Sequence, residues 1–280
     1  MKKFSWKGNL RGRAGVLCLA LSLSVTLPAC GSLGARFEKR ENASRETKQE
    51  QTGLSVRLKT VENVNAGEII PEDWLDVEHL EQYFQVFEIG DAVYQEINGQ
   101  SYVANDHIQI EDLRYLKVLH YNYDHEIQVG ELIVNQAIAE DVRNVFYELF
   151  QQEYEISSMY LIDKYWVGNG VDSDTNSIEH NNTSAFNYRV VPGTDHLSNH
   201  AEGYAIDINP IENPYVQYTA DGGFAKYYQD MEKYLDRDSG KPHMITHEDA
   251  AYKVFTKYGF TWGGDWVNTK DYQHFEKRAF

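Results

Sequence analysis

Two strand-like segments followed by an amphipathic segment constrain the fold of this chain most strongly. Residues 113–123 and 127–134 are rich in β-branched and aromatic residues and flank the polar residues 124–126, a pattern that predicts a β-hairpin. In residues 138–150, apolar side chains recur every three or four positions and polar ones occupy the other face, which predicts a helix. Strands paired in hairpins with separate helices favour an α+β fold, with a central antiparallel sheet and helices packed on it.

Two further local signals concern helix ends and turns. A second helix is predicted over residues 248–258, because Thr246 and Asp249 can form a capping box and Gly259 stands where a helix would end. Residues 97–99, Ile-Asn-Gly, predict a turn between two strands.

The first 29 residues have the layout of an export signal. Five basic residues precede an apolar run over residues 16–29 that is too short to span a bilayer as a mature helix. The run ends Leu-Pro-Ala-Cys-Gly, which resembles a bacterial lipobox and predicts lipidation of Cys30, although Pro28 is unusual there. The alternative is an ordinary secretory signal followed by a chance cysteine.

Cysteine usage and charge limit how the mature chain can be stabilised and what it can bind. Cys18 lies within the signal, so a lipidated Cys30 leaves no cysteine for an internal disulfide. The signal contains five basic residues and no acidic ones, so its removal changes the formal net charge from −17 to −22. Such an acidic chain is a poor candidate for binding nucleic acid or anionic lipid, and the simplest role of the charge is solubility.

Two short segments, far apart in the chain, carry candidate metal ligands. The first contains His200 and Asp207, and the second contains Asp271 and His274. Two histidines and a carboxylate can hold a zinc ion with one position left open, and a second carboxylate can transfer protons. This combination predicts a metallohydrolase.

The spacing of these residues predicts how the chain brings them together. Alternation over residues 205–209 points Asp207 away from the core. His200 lies seven residues earlier and would face the other way on a straight strand, so we expect a bend at Gly203. The three-residue offset from Asp271 to His274 likewise calls for a turn before a short strand that carries His274 and Glu276.

These segments resemble the zinc D-Ala-D-Ala metallopeptidases, which are related in fold to the hedgehog signalling domain. The first resembles that family's Ser-x-His-x-x-Gly-x-Ala-x-Asp motif over residues 198–207, and Asp271-x-x-His274-Phe275 resembles its second motif. The resemblance covers most of the chain from about residue 113 onward and includes residues 130–135, 181–189 and 262–266. It implies an enzyme of the same fold that cuts bacterial cell-wall peptides.

Residue by residue, the resemblance also implies roles for individual side chains. His200, Asp207 and His274 would be Zn²⁺ ligands, Asp271 the general base, and Arg189 a ligand of the substrate or of the developing oxyanion. Beside the ligands or facing the substrate, we expect Ser198, Asn182 and Trp266. No Gly-x-Ser-x-Gly elbow surrounds Ser198, which is therefore interpreted as a hydrogen-bonding residue and not as a nucleophile.

The bond that is cleaved is less sharply predicted. The carboxypeptidase and dipeptidase branches of the family show Glu-x-x-Trp-His, whereas Asp271-x-x-His274-Phe275 resembles the L-alanyl-D-glutamate endopeptidase branch. We therefore favour an endopeptidase, with a D-alanyl-D-alanine carboxypeptidase as the alternative. A non-catalytic zinc-containing wall-binding module is a further alternative, although Asp271 argues against it. A structural zinc site would normally be closed by four protein ligands, and other divalent ions also suit two nitrogens and one oxygen.

Several polar residues also have a simpler interpretation. A single histidine is more often structural than a metal ligand, and Arg189 could be an ion-pair partner. His196 precedes His200 by four residues but lacks the glutamate of a His-Glu-x-x-His helix, so we place it at the cleft rim. His120 and residues 124–126 are best explained as a solvated hairpin tip.

Together these features predict a membrane-anchored lipoprotein of the bacterial cell envelope. The domains are a signal peptide (1–29), a charged flexible tether from Cys30 (30–54), an N-terminal extension of the fold (55–110) and a zinc metallopeptidase domain (111–280). The expected substrate is a peptidoglycan peptide. Contact with the membrane is expected only through the lipid anchor, and we expect a monomer without a nucleic-acid partner.

Overall fold

The computed structural model describes residues 57–221, 223–226 and 231–278, with side chains omitted for residues 224–226. The predicted signal peptide, Cys30 and the tether lie outside these residues. Within the described part of the chain, no helix combines the length and the apolar character that spanning a bilayer requires.

The predicted hairpin forms two strands of a three-stranded sheet. Strands β2 (Leu113–Tyr121) and β3 (Ile127–Asn135) pair antiparallel along their whole length, and β1 (Gln85–Glu88) pairs with the other edge of β2. The turn is fixed by the side chain of Asn122, whose Oδ1 accepts hydrogen bonds from the backbone N–H groups of Asp124 (3.0 Å) and Glu126 (2.9 Å). The local sequence therefore determines both the strands and their register.

The described residues form four α-helices. They are α1 (Asp91–Ile97), α2 (Ala139–Gln151), α3 (Gly170–Glu179) and α4 (Ala250–Lys257). The apolar face of α2 is fully buried and packs against β2, as its periodicity predicts.

Two predicted helix and turn boundaries need correction. Helix α4 begins later than predicted, because the Asp249 carboxylate itself caps the helix by accepting from the N–H of Ala251 (2.8 Å), while the Thr246 hydroxyl accepts from the preceding N–H of Glu248 (3.3 Å). The turn after Ile97 follows a helix and not a strand, and Gly99 in this turn has a left-handed φ of 82°.

Residues before the hairpin share its core. Val61, Tyr83 and Phe84 are buried in the same apolar cluster as the inner faces of β2, β3 and α2. The Tyr83 hydroxyl also donates to the carbonyl of Leu58 (2.8 Å). Burial of these aromatic side chains therefore ties residues 57–84 to the sheet.

The remaining strands are short and carry the polar residues of interest. One antiparallel sheet has the order β6 (Ala205–Asp207), β11 (His274–Glu276), β9 (Thr261–Trp262), and another has the order β10 (Thr269–Asp271), β7 (Tyr215–Tyr218), β8 (Phe224–Lys226). Strands β4 (Ser158–Met159) and β5 (Asn182–Thr183) form a parallel pair. The predicted α+β class is confirmed, and among the described residues the antiparallel pairing is divided among three sheets.

Candidate metal centre

Strand pairing places Asp207 beside His274. These two residues are directly opposite each other in the antiparallel pair β6–β11, so their side chains leave the sheet on the same face. On the neighbouring positions, Ile206 and Phe275 are opposite each other and fully buried in the core. The alternation of each strand therefore aims an apolar pair inward and a polar pair at the cleft.

A short 3₁₀ helix brings His200 to the same place. The helix spans Asn199–Glu202, and the Ser198 hydroxyl caps it by accepting from the N–H of His200 (3.3 Å). Gly203 ends it at a φ of 74°, where a Cβ would lie 2.6 Å from the backbone nitrogen of Asn135. Both the backbone angle and the contact require glycine here, as the predicted bend anticipated.

The three predicted ligands converge in a buried cluster, a name used below for His200, Asp207 and His274. Nε2 of His200 lies 3.3 Å from Oδ2 of Asp207 and 3.2 Å from Nδ1 of His274, which in turn is 3.1 Å from Oδ1 of Asp207. Ligand atoms about 2.0–2.1 Å from a tetrahedral ion lie roughly 3.3–3.4 Å apart. The spacing of these donors fits a single divalent ion, and all three residues are buried.

The second nitrogen of each imidazole is already occupied. Nδ1 of His200 donates to the carbonyl oxygen of Ala185 (2.6 Å), and Nε2 of His274 contacts Oε2 of Glu276 (3.1 Å). The amide of Asn199 donates to the same glutamate oxygen. These contacts orient both rings so that their remaining nitrogens face Asp207, the arrangement typical of metal-ligating histidines.

Charges within the cluster also fit a cation. Burial raises the pKa of Asp207, but the adjacent His200 and His274 outweigh it and hold that pKa well below its usual range. Burial lowers the pKa of His274, yet hydrogen bonds to Asp207 and Glu276 raise it to about 10. The surroundings therefore stabilise positive charge between the carboxylates.

Asp271 faces the same cleft as the three candidate ligands. Its Oδ1 is buried and has no hydrogen-bond partner among the described residues. Burial, and then the negative charge of Asp207, raise the pKa of Asp271 to about 7. A buried carboxylate oxygen without a protein partner fits a site that holds a metal ion and a water molecule.

Arg189 also lines the cleft, and it is held by a residue that the sequence analysis did not identify. Its Nη2 lies 2.8 Å from Oδ2 of Asp174 on α3, and both side chains are largely buried. Ser198 and Trp266 also line the cleft, and the Trp266 ring centre is 5.3 Å from that of His274.

Two polar side chains do not lie where the sequence suggested. Asn182 is fully buried, because its amide bonds the backbone of Tyr160 on both sides (2.9 and 3.0 Å) and the Ser177 hydroxyl (3.0 Å), so its side chain does not face the cleft. His120 is not at the solvated hairpin tip but buried on β2, with Nδ1 3.1 Å from the carbonyl of Tyr121.

Comparison with known proteins agrees with this geometry. Residues 192–277 match a family model described as D-alanyl-D-alanine carboxypeptidase. Over these residues the chain is similar to that family. The match supports a metallopeptidase that acts on peptidoglycan at the family level. The family match includes the buried cluster and Asp271 but stops short of Asp174 and Arg189. No curated protein and no solved structure matches the chain.

Some groups around this site were not apparent from the sequence. Tertiary packing brings the Ala185 carbonyl and Asp174 to the site, and no motif in the neighbouring sequence indicates their roles. Glu276 could have been found, since it lies two residues after His274 on a strand and therefore on the same face.

Proposed function

We propose that this chain is a zinc-dependent endopeptidase that hydrolyses L-Ala-D-Glu-type bonds in the stem peptides of peptidoglycan. The observation that carries this proposal is the buried cluster, which shares one cleft with the unpartnered Oδ1 of Asp271. Two imidazoles and one carboxylate suit zinc, and three protein ligands leave a coordination position for chemistry.

The chain's own residues would divide the reaction between them. Zinc held by the buried cluster would act as a Lewis acid. Asp271 accepts a proton from the attacking water as the new C–O bond forms, and it passes that proton to the leaving amine as the C–N bond breaks. A pKa of about 7 suits both transfers. Arg189, oriented by Asp174, would bind a substrate carboxylate or the oxyanion.

The choice of bond rests on Asp271-x-x-His274-Phe275, which resembles the endopeptidase branch. The description of the matching family favours the alternative, a D-alanyl-D-alanine carboxypeptidase. A cleavage assay distinguishes the two activities: the zinc-loaded protein is incubated with a stem pentapeptide, and the fragments are identified by mass. We expect cleavage between L-Ala and D-Glu, whereas release of free D-Ala alone would favour the carboxypeptidase.

A non-catalytic wall-binding module is tested by Asp271→Ala. Because Asp271 is assigned to proton transfer and not to the metal, we expect the variant to retain zinc and lose cleavage. Undiminished cleavage would contradict the base assignment. A wild-type protein that binds zinc and muropeptides but cleaves neither bond would instead support the binding module.

The cell-envelope location is part of the proposal. Export, lipidation of Cys30 and anchoring to the membrane are supported by the layout of residues 1–30. Cys30→Ala should move the protein from the membrane fraction to the soluble fraction, and unchanged membrane association would contradict the anchor.

A further inference from the structure

Tyr215 lies next to the proposed base, on a different strand. It is the first residue of β7 and is directly opposite Asp271 in the antiparallel pair β7–β10. Directly opposite side chains share one face of a sheet, with Cβ atoms about 4.5–5.5 Å apart. Both side chains line the cleft that contains the buried cluster.

The hydroxyl of Tyr215 lines this cleft without a hydrogen bond to any described residue, unlike three other donors there. The Arg189 guanidinium pairs with Asp174, the Asn199 amide donates to Glu276, and the Gln273 amide donates to Asp207 (3.3 Å). Each of those donors is oriented by the protein itself. The Tyr215 hydroxyl is thus a donor whose partner can come from a bound molecule.

The chemistry of the cleft favours a neutral donor at this position. Burial, and then the negative charge of Asp271, raise the pKa of Tyr215 above its usual value, so the phenol remains protonated at neutral pH. Three carboxylates line the same cleft, those of Asp174, Asp207 and Asp271. An additional cation at this position would be attracted to these carboxylates. A protonated phenol is neutral and can still donate a hydrogen bond to an oxygen that gains negative charge.

We infer that Tyr215 is a catalytic residue whose hydroxyl donates a hydrogen bond to the carbonyl oxygen of the scissile peptide as that oxygen becomes an oxyanion. The inference rests on the proposed peptidase function. The base must reach the attacking water at about 2.6–3.2 Å, and a side chain one strand spacing from the base is then within reach of the carbonyl that the water attacks. Arg189 would consequently serve the substrate carboxylate.

The variant Tyr215→Phe tests this role, because it removes only a hydroxyl that makes no bond within the described protein. Loss of one oxyanion donor lowers kcat roughly 10²–10³-fold, and we expect KM to stay within about threefold since the bond strengthens only in the transition state. Tyr218→Phe is the matched control on the same strand, because its hydroxyl pairs with Tyr272 (3.2 Å). We expect kcat of the control to match the wild type.

A second measurement does not depend on turnover. A phosphinate analogue of the cleaved peptide, which presents tetrahedral oxygens, should bind Tyr215→Phe at least tenfold more weakly, while zinc content and thermal midpoint remain those of the wild type. If Tyr215→Phe instead perturbs folding, 3,5-difluorotyrosine at position 215 keeps the ring and should add a basic limb to the pH profile of kcat.

The outcomes separate the two claims. If the wild type cleaves no stem peptide, the proposed function fails and the role of Tyr215 falls with it. If the wild type cleaves, but Tyr215→Phe keeps kcat and phosphinate affinity within about threefold, the inference about Tyr215 is overturned while the peptidase function stands.

Discussion

Two regions of this molecule place a carboxylate between two imidazoles, with different consequences. In the buried cluster, Asp207 lies between His200 and His274. In a second group, called here the surface cluster (His125, Glu153, Glu155 and His243), Glu155 contacts Nδ1 of His125 (3.1 Å) and Nε2 of His243 (3.7 Å). The buried cluster brings its three donor atoms together, and within the described residues the surface cluster does not form such a group.

The contacts of the second ring nitrogen of each histidine explain why the donor atoms converge in the buried cluster and not in the surface cluster. In the buried cluster, a carbonyl and an outer carboxylate hold the far side of each ring, so that both near nitrogens converge. In the surface cluster, the other nitrogen of His125 contacts Glu153 (3.5 Å), so His125 links two carboxylates. Its side chain is 54% exposed, compared with 4% for His200. Residue types alone do not make a metal site; burial and ring orientation do.

The largest expected effect comes from removing the central carboxylate of each cluster. Asp207→Asn keeps the size of the side chain but removes a charged ligand, and we expect zinc affinity to fall at least roughly 10²–10³-fold, since about 10–16 kcal/mol is shared among the ligands of a zinc site. Glu155→Gln, the matched control, should keep full zinc content. Metal analysis after dialysis checks both, and zinc loss from Glu155→Gln would reverse the comparison.

His120 is a buried histidine without a carboxylate partner among the described residues, so it shows how burial alone changes the pKa of an imidazole. Burial lowers the pKa of His120 to about 4, below its ordinary value of 6.5. The unfolded chain therefore binds the proton first, so stability is complete above pH 6.5 and falls by up to about 3 kcal/mol as the pH drops to 4. Urea unfolding of the metal-free protein should show this loss.

The control for that measurement is a pair of variants. His120→Gln should reduce the acid sensitivity, whereas His107→Gln, at an exposed position, should leave it unchanged. Equal pH dependence in the wild type and in His120→Gln would show that burial of this imidazole has no such effect.

A smaller effect is expected from the outer carboxylates. Glu276→Gln weakens the contact that orients His274, and loss of such a partner costs roughly 10–100-fold in metal affinity. Glu153→Gln removes the corresponding contact of His125 and should change zinc affinity less than about twofold. Competition with a chromogenic chelator measures both constants. Equal affinities in Glu276→Gln and wild type would mean that ring orientation is fixed by packing alone.

The smallest effect should be the stability change in the surface cluster itself. Exposed ion pairs contribute about 0–1 kcal/mol, so Glu155→Gln should shift the free energy of unfolding by no more than that, and less at high salt. Urea titrations at two ionic strengths check this. A salt-independent loss of several kcal/mol would show that the surface cluster is structural.

Local patterns in the sequence predicted much of this molecule. The hairpin was predicted from two segments rich in β-branched and aromatic residues on either side of a polar stretch, and α2 was predicted from its apolar period. The buried cluster was predictable because its residues stand in short motifs with a glycine where the backbone must bend. The start of α4 was placed too early because Thr246 and Asp249 are both good capping residues, and only the folded chain shows which one caps it.

What the sequence did not predict depends on contacts between distant segments. The pairing of Asp174 with Arg189 joins α3 to the loop after β5, and Tyr215 meets Asp271 through a strand register 56 positions apart. Asn182 was expected beside the ligands or facing the substrate, whereas the fold uses its amide to hold β4 against β5. Such roles are set by packing and leave no periodic signal.

The most direct test of the central claim is anomalous X-ray diffraction at the zinc edge from crystals of the zinc-loaded protein. The account predicts a single strong peak within about 2.0–2.2 Å of Nε2 of His200, a carboxylate oxygen of Asp207 and Nδ1 of His274. No peak there, or the strongest peak beside Glu155 in the surface cluster, would contradict it.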